Sequence, residues 1–431
     1  MNDVLNLPAG HLISRRAEQI IEDALADTRV VLVNGARQSG KSTLARQVTK
    51  HHGGEWRSFD NPQTLDQAKF DPLSFVESDS MITIDEVQRD PAILLPIKQR
   101  VDEVPKPGSF LLTGSAHVMG LRSVPDTLPG RVETIELWPF SQGEIDGQPD
   151  GFIDAIFTDP GGLSVASPIK KAGYAERVAR GGFPDAVTRP ERRRGVFLRN
   201  YVADLVNREV TQVAEIQRGP EFRAILRLLA AQSGGLLVPA NLARATGLAL
   251  GTVSKYVAVM SEVFLAKVVP AWSGGAANRV LKTPKLAMVD SGVATQVLGL
   301  DSQSLLRAKA PFGGLLESFV AMELARQATW SETVVTLSHF RTKDKVEVDL
   351  VLEDARGRVV GVEVKASSTV GGDDFKGLRY LAGVVGDDFV AGVVLYTGAT
   401  TASFGDRMKA MPISAIWQAG GLVNGTKSTP D

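Results

Sequence analysis

The stretch Gly35-Ala36-Arg37-Gln38-Ser39-Gly40-Lys41-Ser42 constrains this chain more than any other. It follows the apolar run Val30 to Val33 and precedes a helical pattern that opens on Lys41, Ser42 and Thr43. A glycine-bracketed loop between a strand and a helix, closed by Lys and Ser, is a phosphate cradle. Its backbone N–H groups curl around phosphate oxygens at a helix N-terminus, where the helix dipole favours negative charge. Lys41 would reach the β and γ phosphates of a nucleoside triphosphate, and the Ser42 hydroxyl would ligate Mg²⁺. The runs Met81 to Ile84 and Ser109 to Leu112 supply two further strands. Helical or turn-like segments separate them, which is the rhythm of a parallel α/β sheet.

The second of these runs ends in an acid pair, Asp85-Glu86. Asp85 is placed to hold the Mg²⁺, and Glu86 is the candidate base that polarises an attacking water. The third ends in Thr113-Gly114-Ser115, where the Ser115 hydroxyl either senses the γ phosphate or belongs to a simple Thr-Gly turn. No Asn-Lys-x-Asp guanine motif occurs, so ATP is the expected nucleotide over GTP.

Around these residues, RxxxxI followed by GARQSGKSTLARQV, then ITIDEVQ, LLTGSA, LPGRVETIELWPFS, RGGFPDAV, KTPKLAMVDSGV and LLESFVAMELARQ span nearly the whole chain. This set resembles a large group of bacterial and archaeal AAA-type ATPases whose C-terminal part carries a domain of unknown function. The resemblance implies ATP binding, ATP hydrolysis and a nuclease-like tail. It also points to Arg131 of LPGR as either a sensor of phosphoryl charge or a surface turn arginine. Many AAA-type proteins work as rings in which a neighbour supplies an arginine, so a homo-oligomer is one expectation.

A chain of 431 residues exceeds one ordinary core. The punctuation suggests a P-loop AAA-type ATPase domain over 1–146 and a linker with a helical segment over 147–220. A winged-helix-like unit over 221–290 and an α/β restriction-endonuclease-like domain over 291–431 complete it. The stretch GQPDGFIDAIFTDPGGLSVASP reads from its Gly, Pro and Asp as a linker or a surface insertion. Lys plus Arg total 48 against 49 for Asp plus Glu, so any DNA- or RNA-binding surface must be a local patch. The absence of cysteine excludes disulfides, thiolate zinc sites and a cysteine nucleophile. MNDVLNLPAGHLISRR lacks a signal pattern, and no apolar run approaches the roughly 18 residues of a membrane helix. These features lead to the expectation of a soluble, cytoplasmic protein with no membrane partner.

LLVPANLARATGLALGTVSKYVAVMSEV resembles a helix-turn-helix, with Leu242, Ala243, Val253 and Val257 at packing positions and Gly247 in the turn. FLAKVVPAWSGG would form the strand and tip of a wing. In a DNA complex Thr252, Ser254, Lys255 and Tyr256 would begin the helix that enters the major groove. Arg189, Arg192, Arg193, Arg194 and Arg199 are candidates for phosphate contact. The bland alternative is a lid or partner surface with solvated arginines.

EVDLVLEDARGRVVGVEVK, Glu347 to Lys365, reads as a hairpin with acids and a lysine at alternating positions. Val362 and Val364 would face the core while Glu363 and Lys365 share the other face. Asp349 from the first strand could then meet the Glu-x-Lys pair of the second. Two carboxylates that hold Mg²⁺ or Mn²⁺ beside a lysine are the apparatus of a metal-dependent nuclease. The arrangement resembles the PD-(D/E)xK nuclease fold, which adds an acid from a preceding helix. Here that acid is Glu317 in LLESFVAMELARQ, although the "PD" dipeptide itself is replaced by Glu347-Val348-Asp349. The alternative is an ordinary amphipathic hairpin whose charges face water. Two functions therefore stand: an ATP-driven protein acting on nucleic acid with a cutting tail, or a regulatory nucleotide-switch ATPase whose tail only binds.

Overall fold

A computed structural model describes residues 12–115, 128, 130–207, 219–272, 274 and 283–420. Residues 1–11, which begin the segment read for a signal, and Ser273 and Gly275 of the expected wing tip lie outside the described residues. The chain divides into two compact units, Met1–Phe140 with Glu262–Phe264, and Ser141–Ser261 with Leu265–Asp431.

The first unit is built on five strands: β1 (Val30–Asn34), β2 (Glu55–Ser58), β3 (Ile82–Asp85), β4 (Phe110–Gly114) and β5 (Val132–Glu136). They form one sheet in the order β2-β3-β4-β1-β5, and every neighbouring pair is parallel. β1, β3 and β4 are buried along their whole length, as strands of a sheet covered on both faces must be. Alternation divides their side chains between two layers. Val30, Leu32, Ile84 and Leu112 pack with Phe59, Ile97 and Val101. Val31, Val33 and Leu111 pack with Ile21, Leu25, Leu44 and Val48. Each such side chain contributes roughly 1.5–3 kcal/mol on burial. The edge strands β2 and β5 have no continuous apolar run; Glu133 and Thr134 of β5 are exposed, which also discourages pairing with another chain.

In the second unit, β6 (Ala266–Val269) and β7 (Lys285–Met288) form an antiparallel ribbon. The remaining strands are β8 (Val335–Arg341), β9 (Glu347–Asp354), β10 (Val359–Lys365), β11 (Phe389–Tyr396), β12 (Ala402–Ser403) and β13 (Met408–Pro412). They make a six-stranded mixed sheet in the order β12-β13-β11-β10-β9-β8. β8, β9 and β10 run antiparallel to one another in turn, and β11 is parallel to both β10 and β13. The β9–β10 turn is held by Asp354 Oδ1, which accepts from the N–H groups of Arg356 and Arg358 at 2.9 and 2.8 Å. Gly361 lets the helix Lys376–Val385 approach, because a Cβ there would lie 2.7 Å from Leu378 Cδ2. After the helix Gly219–Ala231, the helices Pro239–Thr246 and Leu250–Glu262 cover the stretch that resembles a helix-turn-helix, and Gly247 at φ 72° ends the first of that pair.

The helix Phe312–Gln327 is buried everywhere except at Gly313, Gly314 and Glu317, which makes it a core element. Its polar residues are paired. Arg326 Nη1 meets Glu323 Oε1 at 2.6 Å, and Arg326 Nη2 donates to the Val289 carbonyl at 3.0 Å. Gln327 Nε2 donates to Asp150 Oδ1 at 2.9 Å, and its Oε1 accepts from Ile153 N–H at 3.3 Å. The stretch after Gly147 is thus not the linker that its composition predicts. It contains the helix Phe152–Thr158, which buries Phe152, Ile153, Ile156 and Phe157, an apolar face at helical spacing concealed among turn formers. By its contacts Ser141–Asp146 groups with the second unit. Among the described residues no helix is long and apolar enough to cross a membrane.

Candidate functional site

The loop after β1 is folded tightly around its own lysine. Asn34 Oδ1 accepts from Gly35 N–H at 3.1 Å, and a Cβ on Gly35 would lie 2.2 Å from the Leu137 carbonyl oxygen, so only glycine fits. Ser39 N–H closes the turn on the Ala36 carbonyl at 3.2 Å. Gln38 and Gly40 adopt positive φ of 60° and 99°, and the helix Lys41–His52 begins directly after. Lys41 is 4% exposed, and its Nζ donates to the carbonyls of Gly35 and Ala36 at 3.0 and 2.9 Å. Ser39 Oγ is buried without a partner in the same turn. Arg37 is half-buried, while Gln38 and Thr43 are exposed.

The parallel register brings the ends of β3 and β4 beside this loop. Asn34 is level with Gly114 across the β1–β4 pair. Asp85 Oδ1 accepts from Ser42 Oγ at 2.7 Å and from Thr113 Oγ1 at 2.6 Å. Thr113 Oγ1 in turn accepts from Glu86 N–H at 3.1 Å, which fixes the backbone of Glu86 at the unusual φ of 61°. Gln88 Nε2 donates to Glu86 Oε2 and, at 2.8 Å, to Ser115 Oγ. On the other side of the loop the Arg15 guanidinium donates to the carbonyls of Ser39 and Trp138 at 2.8 and 2.6 Å. Arg15 thus braces the phosphate loop from just before the helix Ala17–Asp27. An orphaned buried hydroxyl, an inward lysine and a Ser–Asp pair suit a triphosphate with its Mg²⁺.

Arg131 is not part of this arrangement. It precedes Val132, which pairs with Val30, whereas the phosphate loop follows Asn34. At about 3.3 Å per residue the two ends of β1 are more than 10 Å apart. Arg131 instead bonds Asp102, Nη2 to Oδ2 at 3.1 Å, and that hydrogen bond holds the Asp102 carboxyl below its ordinary range. Of the two readings of Arg131, the surface arginine is the one this pairing with Asp102 favours within its own chain.

The C-terminal acids gather at one end of β9 and β10. Glu363 Oε2 meets Lys365 Nζ at 3.1 Å, and Asp349 Oδ2 accepts from Val364 N–H at 3.0 Å. Val362 and Val364 are buried on the opposite side, as the alternation predicts. A residue of β7 enters this group: Lys285 Nζ lies 2.7 Å from Glu347 Oε1, 3.0 Å from Asp349 Oδ1 and 3.9 Å from Glu317 Oε2. Burial works against the Lys285 ammonium, but Asp349, Glu317 and Glu347 outweigh it and hold its pKa above the ordinary lysine range. Burial, reinforced by Asp349, pushes Glu317 and Glu363 each up to about 8. An open groove of about 500 Å³ leads to Glu317, Glu347 and Asp349 past Ser233 and Gly234.

Three family models match the chain: an AAA domain over residues 27–146, a domain of unknown function (DUF8612) over 171–304 and another (DUF4143) over 312–416. Two mycobacterial relatives are the Uncharacterized protein Mb2031c of Mycobacterium bovis and the Uncharacterized protein Rv2008c of Mycobacterium tuberculosis. Each is 30% identical over 365 residues, covering 83% of this chain and 75% of the relative. The chain belongs to this family of AAA-domain proteins. Among solved structures, the Walker-type ATPase PABY2304 of Pyrococcus abyssi aligns with a TM-score of 0.41 at 15% identity, over 66% of this chain and 96% of that one. The RuvB Holliday junction branch migration motor of Thermotoga maritima aligns at 0.31 and 20%, over 59% and 89%. Scores this low carry no argument; the AAA-type P-loop ATPase fold of the first unit rests on the AAA-domain match and the parallel sheet.

Within this AAA-domain family member, the tail acids do not fit a metal ion as they stand. Among the described residues no group of three or more His, Cys, Asp or Glu side chains is arranged to hold one. The carboxylates converge on Lys285 Nζ instead. Sequence reasoning missed Arg15, Gln88, Thr113, Lys285 and Glu347 as members of these sites. Lys285 could have been noticed as the lysine that opens the buried strand LAMV in KTPKLAMVDSGV.

Proposed function

We propose that this chain binds ATP at Gly35 to Thr43, hydrolyses it, and couples the cycle to nucleic acid. The observation that carries the first part is Asp85 accepting from both Ser42 and Thr113 beside a loop whose lysine is already turned inward. Lys41 exchanges its two carbonyl partners for β and γ phosphate oxygens, so its charge stays compensated on binding. Ser42 and Asp85 are the residues to hold Mg²⁺, which when bound neutralises charge on the transferring phosphoryl group. Glu86 orients the attacking water and takes its proton. Ser115, reached through Gln88, is the candidate for reporting the γ phosphate to Glu86. Steady-state ATP hydrolysis by Lys41→Ala tests this: turnover should be abolished, and a rate equal to wild type would remove the assignment.

The three-helix unit followed by the β6–β7 ribbon supports a winged-helix reading, and its surface narrows the contacts. Ser254 and Lys255 are exposed and Thr252 is half-buried, but Tyr256 packs against Phe222 and is unavailable to bases. Of the arginines, Arg192, Arg193 and Arg199 are exposed. Arg194 is used to hold the carbonyls of Ala186 and Arg189, and Arg189 stacks on Phe197. These exposed residues suit phosphate contact with DNA or RNA.

For the tail, the order of helix Phe312–Gln327, antiparallel β8, β9 and β10, helix Lys376–Val385 and parallel β11 supports a restriction-endonuclease-like reading. Asp349, Glu363 and Lys365 are its candidate site, with Glu317 from the helix. Cleavage assays with Mg²⁺ or Mn²⁺ on single- and double-stranded DNA and RNA test it; activity surviving both Asp349→Ala and Lys365→Ala would sink the site. No cleavage under any metal would leave the tail as a binding module.

A further inference from the structure

Lys285 is a buried ammonium in a place where sequence logic puts a metal ion. Its strand belongs to the β6–β7 ribbon, while Glu317 comes from a helix and Glu347 and Asp349 from β9. Four carboxyl and ammonium groups from three separate elements thus point at one another. A buried ammonium is tolerated only when carboxylates compensate it, and here Glu347 and Asp349 do so at 2.7 and 3.0 Å. A divalent ion would use those same carboxylate oxygens at roughly 2.0–2.6 Å, where it would meet the repulsion of an ammonium already 2.7 and 3.0 Å from them.

The backbone keeps Lys285 in position. Leu286 N–H donates to the Gly235 carbonyl at 3.2 Å, Gly234 N–H to the Leu286 carbonyl at 3.1 Å, and Leu237 N–H to the Pro284 carbonyl at 2.8 Å. Gly234 also presses on the cluster, since a Cβ there would lie 2.7 Å from Glu317 Oε2. The lysine is therefore braced against the acids by residues 234–237.

We propose that Lys285 Nζ is the resident cation of this cluster, standing where a divalent ion would be held and excluding it. The proposal rests on the restriction-endonuclease-like reading of the tail's fold, and under it wild type cleaves nothing with Mg²⁺ or Mn²⁺ while Lys285 stays in place. In this state the acids neutralise a lysine of their own chain, and Mg²⁺ or Mn²⁺ enters only when that lysine is removed.

The test is Mn²⁺ binding to the full chain without nucleotide, by calorimetry or by the loss of the free-ion resonance. Wild type and Asp349→Asn should bind alike, with no Mn²⁺ assignable to the cluster. Lys285→Met should gain one Mn²⁺ per chain over wild type, and Asp349→Asn in the same chain should abolish the gain. Lys285→Gln, with Mn²⁺ raising its unfolding temperature, serves if the methionine variant does not fold. The wild-type arm needs no substituted lysine: an Asp349-dependent Mn²⁺ site in wild type overturns the proposal and leaves the nuclease reading standing. Lysine variants that fold and gain no site also overturn it. Metal bound to Lys285→Met without cleavage of DNA or RNA would instead sink the nuclease reading and leave the resident-cation assignment intact.

Discussion

Gln88 shows how a side chain two positions beyond the acid pair can govern it. Its amide ties the Glu86 carboxylate to the Ser115 hydroxyl, so a change at the γ-phosphate end would reach the candidate base through one group. Replacing it with alanine should lower kcat for ATP by about tenfold while leaving KM unchanged, because the amide orients the base and does not bind substrate. A parallel rise in KM, read from steady-state kinetics, would place Gln88 in binding instead. Lys41 and Ser42 were legible in the sequence because a phosphate loop is a local pattern with fixed spacing, and Asp85 because it is the acid that ends the apolar run Met81 to Ile84. Thr113 and Lys285 were not, because their partners depend on strand register and chain folding. Lys285 and Asp349 are 64 positions apart.

At the scale of elements, the helix Phe312–Gln327 and the segment it binds carry a buried acid pair. Burial, with Glu323 nearby, pushes the Asp150 carboxyl up to about 7, although Ser141 and Gln327 donate to it. Glu323, itself pushed up by burial, is offset by Arg326, and Glu144 adds further negative charge. A carboxyl whose folded pKa exceeds its ordinary value of about 4 contributes stability below that value, and loses it as pH rises toward 7. Wild type should therefore show a falling unfolding temperature between about pH 5 and pH 8, and Asp150→Asn a flatter profile. Identical slopes for the two proteins would show that Asp150 does not titrate in this interval. This segment was misread as a linker because Gly, Pro and Asp dominate its composition. The hairpin β9–β10 was read correctly because period-two alternation fixes both its type and its sidedness.

Across the whole molecule, an almost neutral charge balance leaves Arg192, Arg193 and Arg199 as a small exposed basic patch. Changing all three to alanine should weaken binding to duplex DNA regardless of sequence. The slope of log affinity against log salt should become shallower by roughly one for each phosphate these arginines neutralise. An unchanged slope in fluorescence anisotropy titrations would remove these arginines from the proposed DNA contact. In the first unit the phosphate loop and the strand end that carries Asp85 were legible from local pattern, whereas Arg15, Gln88 and Thr113 join them only through the fold. The helices and sheet of the second unit interlock through residues such as Gln327, whose partners Asp150 and Ile153 lie more than 170 positions away. The central claim is that Glu86 drives hydrolysis of ATP held by the phosphate loop. It is tested most directly by measuring bound ATP and its turnover in the same sample of Glu86→Gln. ATP should stay bound as in wild type while hydrolysis falls by roughly a hundredfold. Hydrolysis at the wild-type rate, or a wild type that holds no ATP, would contradict it.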